Sequence, residues 1–411
     1  MKRKSDVLFL LQYFYPEYIS SATLPLDTAE AIVKEGYSVG VICGYPKEYN
    51  LKNNVPKNEL YNGISIKRLR YFQRERSNFL GRLINNFSFT FSALLKITEL
   101  KNYKIIFVYS NPPVLPIVAT LANKLYGVKV VFVSYDIYPE IAEVTKVISP
   151  KSFISKLMKL LNLFIYKRVY KVVALSNEMK KFLLIHRPFL SEDQIEVIPN
   201  WYDDNGEVKP KQEVKNKLFN HIIDENSLIV SYFGNMGTGQ DIETIVEAAR
   251  FLRESQNIKF LFAGHGNKLS LLKKTVKEEK LTNVYIYDFL HGEDFQDALA
   301  ISDCFIVSLA EGVTGLAVPS KTYGYMKAGR PIIAIMDEDS DIVRDLKEFN
   351  AGYNVQPGET SKLIEIINEL YKNVKKRKIL GMNCRNLFLE KYTKNHCTQK
   401  YVELVRNILE D

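Results

Sequence analysis

The sequence predicts an α/β protein with two doubly wound, parallel-sheet domains of Rossmann-like topology. Apolar, β-rich runs alternate with helical patterns along the chain, and the alternation starts again near residue 227. A stretch rich in turn-forming residues, "PNWYDDNGEVKPK" at 199–211, separates the two series. The length of 411 residues also exceeds what one hydrophobic core usually supports. We therefore expect domains at 1–203 and 204–394, followed by a C-terminal helix at 395–411.

The first series begins with a strand at Val7–Leu11 and a helix at Leu24–Glu35. In this helix apolar residues recur at helical spacing, and Gly36 ends the helix. The apolar run of the first strand is too short for the core of a signal peptide. The other strands of this series are expected at Val39–Ile42, Ile64–Leu69, Ile105–Tyr109, Val128–Ser134, Lys171–Leu175 and Ile195–Ile198.

The second series repeats the pattern. Its strands are expected at Leu228–Phe233, Lys259–Phe262, Val284–Tyr287, Cys304–Val307 and Pro331–Ile335. Its helices are expected at Asp241–Arg253, Lys268–Glu279, Glu293–Ile301 and Lys321–Ala328. Doubly wound sheets bind ligands outside the carboxyl ends of their strands, so two such domains facing each other would place the active site in the cleft between them.

The composition is that of a globular protein, with 46% hydrophobic and 25% charged residues. The cysteines are scattered and form no C-x-x-C pair, which disfavours a disulfide framework or a metal site and fits a reducing compartment. They are Cys43, Cys304, Cys384 and Cys397. No run of 18 apolar residues is present. We therefore expect a cytoplasmic protein without a membrane span.

Positive charge is concentrated in the first half of the chain. Residues 1–200 contain 28 Lys and Arg against 16 Asp and Glu, a net of +12, whereas the remainder has a net of −3. A basic first half favours an anionic partner. The dispersed positions of its charges, without stacked aromatic residues, disfavour nucleic acid as that partner. The basic, apolar segments 78–97 and 151–171 fit either the inner face of the plasma membrane or helices packed within a domain.

One strand end of the second series carries glycines suited to a phosphate group. In "VSYFGNMGTGQDIETIVEAARFL", 230–252, a strand runs into Gly234, Asn235 and Gly237 before a helix. Glycines let the backbone approach a ligand, and a helix N-terminus favours an anion. The spacing matches neither a dinucleotide fingerprint nor a P-loop, so a plain strand-to-helix turn remains an alternative.

A second strand end follows the same logic. "FLFAGHGNKLSLL", 260–272, places Gly264 and Gly266 after the next strand, with His265 between them. A lone histidine at such a position is more often structural than catalytic.

The third strand end lies before the helix of "VPSKTYGYMKAGRP", 318–331. Ser320, Lys321 and Thr322 would bring two hydroxyls, backbone N–H groups and one ammonium together, with no acid among them. That set suits a diphosphate. Simple N-capping by Ser320 is the alternative.

The first series offers two candidate sites. A small-residue loop, Ser20 to Ala22, follows the first strand, and Asp136 in "VVFVSYDIYPEI" lies just beyond a buried strand. Asp136 fits either a cap or a catalytic carboxylate. The absence of a dinucleotide fingerprint after the first strand argues against a dehydrogenase.

Together these motifs resemble glycosyltransferase family 4, the retaining, nucleotide-sugar-dependent enzymes of the two-domain GT-B fold. The resemblance covers nearly the whole chain and is nearest to the branch that builds bacterial surface polysaccharides, similar to colanic-acid and O-antigen amino-sugar transferases. The motifs that carry it are "YFYPE", "NPPVLPIVA", "DIYPE", "ALSNEMKKFL", "VIPNW", "YFGNMGTGQDIETIVEAA", "FAGHG", "ISDCFIVSL" and "VPSKTYGYMKAGRPIIA".

The resemblance implies a role for each motif. The Gly234–Gly237 turn approaches the donor phosphates together with Gly264 and Gly266, and Ser320 to Thr322 form the diphosphate seat. Glu311 contacts the donor sugar. The remaining donor-binding residues implied are Ser21 and Ala22 in the loop that closes on the donor, and Phe289 and Leu290 in the Asp288–Leu290 turn that docks the base. The C-terminal helix is implied to cross back onto the first domain.

Two departures from the family pattern stand out. The glutamate that commonly grips the ribose would fall at position 324, where this chain has glycine. The Arg and Lys that often follow the glycine turn are also missing, with Gln240 near the lysine position. We expect Lys321 to supply the missing positive charge.

The sequence therefore predicts a hexosyltransferase-type glycosyltransferase that moves a sugar from a nucleotide sugar, with UDP expected, to a lipid-linked or saccharide acceptor in surface polysaccharide synthesis. Asp136, Glu311 and Lys321 are the predicted catalytic residues. No cofactor and no metal are expected, since no metal-binding Asp-x-Asp pair lies in the cleft motifs and the acids of the Asp203-Asp204 pair in the linker are adjacent. A nucleotide-sugar 2-epimerase and a non-catalytic partner subunit remain alternatives.

Overall fold

The computed structural model describes residues 4–46, 55–74, 79–224 and 226–411, so Asn78 of the predicted segment 78–97 lies outside the described residues. The described chain divides into two compact units. The first contains the chain up to Asn200 together with Gly315–Val318 and Lys394–Asp411. The second contains Trp201–Thr314 and Pro319–Thr393. The short segment Gly315–Val318 thus belongs to the first unit, although its sequence position suggested the second.

Among the described residues, eight strands form the sheet of the first unit, in the order β3-β4-β2-β1-β5-β6-β7-β8. They are β1 (Ser5–Leu10), β2 (Val39–Gly44), β3 (Asn58–Tyr61), β4 (Ile64–Leu69), β5 (Tyr103–Tyr109), β6 (Lys129–Ser134), β7 (Lys171–Ala174) and β8 (Ile195–Val197). Every pairing is parallel except that of β3 with β4. The central strands are fully buried, which explains their continuous apolar runs.

Helices connect these strands. They are α1 (Ser20–Lys34), α2 (Phe79–Leu94), α3 (Ile97–Leu100), α4 (Pro116–Tyr126), α5 (Glu140–Val144), α6 (Phe153–Tyr166) and α7 (Asn177–His186). The predicted loop Ser20–Ala22 is wrong, because these residues form the first turn of α1. The chain turns at Ile19, whose carbonyl accepts from the N–H groups of Ala22 and Thr23.

The second unit contains a parallel sheet of order β11-β10-β9-β12-β13-β14 within the part of the chain that the structure describes. Its strands are β9 (Leu228–Asn235), β10 (Ile258–His265), β11 (Val284–Tyr287), β12 (Cys304–Ser308), β13 (Ile332–Ile335) and β14 (Gly352–Val355). Its helices are α8 (Glu243–Phe251), α9 (Leu269–Glu278), α10 (Gly292–Ile301), α11 (Lys321–Lys327), α12 (Asp341–Glu348), α13 (Thr360–Lys372) and α14 (Val374–Lys391). The prediction of two doubly wound α/β domains with parallel sheets is confirmed.

The last helix, α15 (Lys394–Glu410), packs within the first unit. The Tyr401 ring is buried, with its centroid 6.1 Å from that of Phe107 on β5. At the start of the helix, Lys394 Nζ lies 2.6 Å from Asp27 Oδ1 on α1. The end of the chain therefore contributes apolar side chains to the core of the unit that contains its beginning.

This packing predicts a large effect of Tyr401→Ala on stability. Removing a buried aromatic ring leaves a cavity, and we expect the free energy of unfolding to fall by about 3 kcal/mol, measured by urea denaturation. Glu403→Ala, at an exposed position of the same helix, is the control, with an expected change below about 0.5 kcal/mol. Equal effects of the two substitutions would contradict the packing of α15 into this core.

Candidate functional site

Candidate residues of the second unit lie along one edge of its sheet. β11, β10, β9 and β12 are neighbours, and their carboxyl ends lead into the Asp288–Leu290 turn, Gly264–Gly266, Gly234–Gly237 and the loop containing Glu311. In parallel sheets this edge is where ligands bind.

Close backbone contact between β9 and β10 explains the glycines at this edge. Gly264 pairs with Gly234, and a Cβ atom on Gly264 would lie 2.0 Å from the Gly234 carbonyl oxygen. Gly264 also has a φ of +149°, which L side chains rarely adopt. A Cβ on Gly266 would lie 2.4 Å from the Met236 carbonyl oxygen. Bare backbone is therefore required at the end of β10, where it lies against the end of β9.

The turn after β9 is closed by side-chain contacts. The Gly237 N–H donates to Gln240 Oε1 at 2.9 Å, so Gln240 holds the turn. Lys268 Nζ donates to the Gln240 carbonyl oxygen at 2.7 Å and lies 2.8 Å from Glu243 Oε2. The turn consequently has a cation, Lys268, beside it, although its charge is shared with Glu243.

Lys321 lies directly over the glycine turn. A Cβ on Gly234 would be 3.4 Å from the Lys321 Cε atom. Lys321 Nζ donates to the Tyr232 hydroxyl at 2.5 Å and to the Asn235 carbonyl oxygen at 3.3 Å. The buried Tyr232 hydroxyl in turn donates to the same carbonyl oxygen at 2.9 Å. Two oxygens of β9 thus fix the position of the ammonium group.

The electrostatic environment of Lys321 favours an anion. Burial lowers the pKa of Lys321 to about 7, because the ammonium loses much of its hydration. Burial likewise raises the pKa of Tyr232, which keeps its hydroxyl neutral. Among the described residues, no carboxylate lies within ion-pair distance of Lys321 Nζ. A phosphate oxygen placed here would complete the coordination of the ammonium and favour its charged form.

The two hydroxyls beside Lys321 differ in accessibility. Thr322 is fully buried, and its hydroxyl donates to the Pro319 carbonyl oxygen at 2.7 Å, so it is not presented to a ligand. Ser320 is half-buried, and its side chain makes no capping hydrogen bond to α11. The alternative of simple N-capping by Ser320 is therefore wrong. Tyr325 anchors α11, because its hydroxyl bonds both the N–H and the carbonyl of Phe233, at 2.7 and 2.9 Å.

Two aromatic groups lie together at the ends of β10 and β11. The His265 and Phe289 ring centroids are 5.5 Å apart, and Phe289 is 41% exposed. Leu290, the residue after Phe289, is half-buried, whereas Glu311 is exposed in the loop after β12. An exposed aromatic ring of this kind can stack on a planar heterocycle.

In the first unit, Asp136 follows the end of β6. Its backbone N–H donates to Ser110 Oγ at 3.1 Å, and its backbone pairs with that of Ala317. Burial raises the pKa of Asp136 to about 6. The carboxyl group has no hydrogen-bond partner among the described residues. Of the other candidates in this unit, Ser21 is half-buried and Ala22 is buried in the first turn of α1.

Sequence reasoning missed Tyr232, Ser110 and Lys268. Tyr232 and Ser110 contact candidate residues from segments distant in the chain. Lys268, two residues after Gly266, contacts the Gln240 carbonyl oxygen in the turn after β9. A polar residue inside an apolar strand, such as Tyr232, was the available signal.

Two features are absent from the described parts of the chain. No group of three or more His, Cys, Asp and Glu side chains is arranged to hold a metal ion. No helix combines the length and apolar composition that crossing a bilayer requires.

Models of two protein families match consecutive parts of the chain. The family described as Glycosyltransferase Family 4 matches residues 22–205, and the family described as Glycosyl transferases group 1 matches residues 213–387. The two matches correspond to the two series of strands and helices.

Curated relatives have the same activity in their names. The chain is 27% identical over 302 residues to probable glycosyltransferase WbjE of Pseudomonas aeruginosa, and the aligned region covers 74% of each protein. It is 26% identical over 145 residues to WcaI of Escherichia coli, a putative colanic acid biosynthesis glycosyl transferase, and this aligned region covers 34% of each protein.

Solved structures share the fold across the whole chain. HepE of Anabaena, determined with UDP and glucose, superposes with a TM-score of 0.72 at 16% identity, covering 98% of this chain and 99% of HepE. Sucrose-phosphate synthase of Thermosynechococcus elongatus superposes with a TM-score of 0.74 at 15% identity, covering 99% and 100%. With both family models, these comparisons show that the chain is a hexosyltransferase-type glycosyltransferase with the GT-B fold.

Proposed function

We propose that the protein transfers a hexosyl group from a UDP-linked sugar to a lipid-linked acceptor in cell-surface polysaccharide synthesis, with retention of configuration and without a metal ion. The observation that carries the proposal is the Lys321 ammonium, held over the Gly234 backbone with no carboxylate partner among the described residues. The name of WcaI supports a polysaccharide product, and HepE, solved with UDP and glucose, supports the donor. Retention rests on the family resemblance, whereas metal independence rests on the Lys321 ammonium, which would supply the positive charge at the leaving group.

Lys321 would stabilise the leaving group. As the bond between the sugar and the nucleotide breaks, negative charge grows on the β-phosphate. A preorganised ammonium beside bare glycine backbone can take up that charge without reorganising solvent. Ser320 would add a hydroxyl at the start of α11, whereas Thr322 would keep the turn in shape through its bond to Pro319.

Asp136 would act on the acceptor. With a pKa of about 6, its carboxyl group is mostly ionised at neutral pH and remains basic enough to accept a proton. The absence of a hydrogen-bond partner among the described residues leaves its oxygens available to orient an acceptor hydroxyl. Ser110 would position Asp136 by holding its backbone N–H.

The remaining candidates would bind the donor. The base would stack on Phe289 and contact Leu290, while Gly264 and Gly266 give the phosphates access to backbone. Glu311 would bind hydroxyls of the donor sugar from its exposed loop. Ser21 and Ala22 would contact the donor from the first turn of α1.

A lipid-linked acceptor implies work at a bilayer. We propose a cytoplasmic protein bound peripherally to the inner face of the plasma membrane. The exposed apolar side chains of α2 support this, since Leu80, Phe87 and Phe91 are each more than half exposed.

A thermal-shift screen of nucleotide sugars tests the proposed function. A bound ligand stabilises a protein in proportion to the logarithm of its concentration over its Kd, so one UDP-sugar should raise Tm most. That donor should then label a lipid extract. A new sugar nucleotide formed from the donor alone would indicate an epimerase instead, and donor binding without transfer would indicate a non-catalytic subunit. Absence of a shift with every nucleotide sugar would contradict the proposal.

Lys321→Ala should lower kcat by about 10²–10³-fold and abolish the pH dependence of UDP binding. Lys321 of the free protein loses its proton above pH 7, so wild-type affinity should fall by up to about tenfold per pH unit from there. Calorimetric titrations between about pH 7.5 and 9 in EDTA measure this. Lys274→Ala, an exposed lysine of α9, is the control. Near-normal kinetics of Lys321→Ala would refute the assigned role.

Asp136→Asn should lower kcat by about 10²–10⁴-fold while the Kd for UDP stays within a factor of about two, because the amide cannot accept the acceptor proton. Wild-type kcat should also fall below about pH 6, where the carboxyl group becomes protonated. Steady-state rates across pH measure both effects. Glu192→Gln, an exposed acid of the same unit, should behave as wild type. A matching loss of UDP affinity in Asp136→Asn would argue for a structural role.

A further inference from the structure

A groove on the first unit combines apolar walls with a cationic end. It has a volume of about 550 Å³ and lies between α4 and α6. Its apolar lining consists of Ile117, Leu121, Leu160, Leu161, Leu163 and Phe164. Lys167 and Arg168 line it as well, just after the last residue of α6.

The outer surface of α6 is unusually apolar for a helix exposed to water. Phe153 is 78% exposed and Leu160 is 64% exposed. Contiguous exposed apolar side chains of this size usually mark a binding surface. Residues 144–177 contain seven Lys and Arg and no Asp or Glu. Glu143, just before this stretch, is paired with Lys159 at 2.8 Å, which leaves the other cations without an acid in this segment. This combination is typical of helices that lie on anionic membranes.

A second, polar cavity of about 370 Å³ shares Lys167 and Arg168 with the groove. Lys129 and Lys171 also line it, as do the carboxylates of Asp193 and Asp411. The apolar groove and the polar cavity therefore meet at the side chains of Lys167 and Arg168.

Most charged groups of the polar cavity already have partners. Lys171 Nζ lies 3.1 Å from Glu196 Oε1, Lys129 Nζ donates to the Ile408 carbonyl oxygen, and Asp411 accepts from the Tyr170 hydroxyl. Within the described residues, neither Lys167 nor Arg168 has a carboxylate at ion-pair distance. Arg168 Nη1 donates to the Phe164 carbonyl oxygen at 3.3 Å, and its guanidinium lies 4.2 Å from the Phe164 ring centroid. Both remain available for a phosphate.

The position of this cavity separates it from the proposed chemistry. Lys129 and Lys171 begin β6 and β7, whereas Asp136 follows the opposite end of β6. A strand of that length spans roughly 20 Å. A lipid phosphate bound at Lys167 and Arg168 is therefore remote from Asp136, which favours a lipid of the bilayer over the acceptor.

We propose that the α4–α6 groove binds an acyl chain of an anionic bilayer phospholipid whose phosphate lies against Lys167 and Arg168. The exposed side chains of α6 would enter the same leaflet beside it. The inference deepens the proposed peripheral membrane binding but does not depend on glycosyl transfer, since lipid binding is measured in the absence of donor.

Flotation of the full-length protein with vesicles tests the proposal. Wild type should bind phosphatidylcholine vesicles that contain about one third phosphatidylglycerol at least tenfold better than pure phosphatidylcholine vesicles. Lys167→Ala/Arg168→Ala and Leu160→Gln/Leu163→Gln should each weaken binding by about tenfold or more. Thermal denaturation should show that both variants remain folded, because Lys167, Leu160 and Leu163 are exposed and Arg168 is half-buried.

Matched controls separate a built site from general attraction. Lys375→Ala/Lys378→Ala removes the same charge from another exposed surface, and Leu271→Gln removes an exposed leucine of α9. Both should bind as wild type. Equal losses in the control variants, or binding that does not depend on phosphatidylglycerol, would overturn the proposal.

A second arm distinguishes other sources of phosphate. Inorganic phosphate should not compete with vesicles when ionic strength is held constant, since it lacks the acyl chain. Phosphatidylcholine vesicles doped with a polyprenyl phosphate should bind no better than vesicles with phosphatidylglycerol at the same mole fraction, since both lipids carry an anionic phosphate. Stronger binding to the polyprenyl phosphate vesicles that depends on Lys167 and Arg168 would instead assign the groove to the acceptor and overturn the proposal.

Discussion

The close approach of two glycine backbones is the constraint on which the candidate donor site depends. Gly264 can lie against the Gly234 carbonyl only because Gly264 has no side chain, since a Cβ added to it would lie 2.0 Å from that oxygen. That contact keeps the ends of β9 and β10 side by side. Gly234 adds no side chain to the surface above it. The aliphatic end of Lys321 occupies this surface. Backbone geometry thus determines where the cation of the site lies.

Tyr232 converts that position into a chemical property. Its hydroxyl accepts from Lys321 and donates to Asn235, so the ammonium is oriented by a neutral group. A carboxylate in the same place would raise the lysine pKa and neutralise the site, leaving little attraction for a diphosphate. A buried ammonium with only neutral partners is less stable by itself but can respond to an incoming anion. This trade of stability for function is common at binding sites.

Alternating apolar runs were sufficient to predict both sheets, because strands buried on two faces need continuous β-branched and aromatic sequence. The edge strands β3 and β14 were not predicted, since "NELY" and "GYNV" are short and only partly buried.

The candidate site was predicted from the types of residue that follow the strand ends. Accessibility decided the rest: Thr322 carries the expected hydroxyl but lies buried against Pro319, and Ser20 to Ala22 form helix rather than loop. Contacts such as Tyr232 with Lys321 join residues far apart in sequence, which local patterns do not specify.

The glycine at position 324 also has a structural explanation. A Cβ added there would lie 3.2 Å from Cε2 of Tyr202, so the tyrosine ring occupies the space that a glutamate side chain would need. The ring is held in turn, because Lys327 Nζ lies 5.5 Å from its centroid and donates to the Asn205 carbonyl oxygen. Restoring a glutamate alone would therefore displace Tyr202. Because Gly324 and Tyr202 form one packed unit, the missing glutamate is a change of architecture at this helix and is not by itself a sign of lost activity.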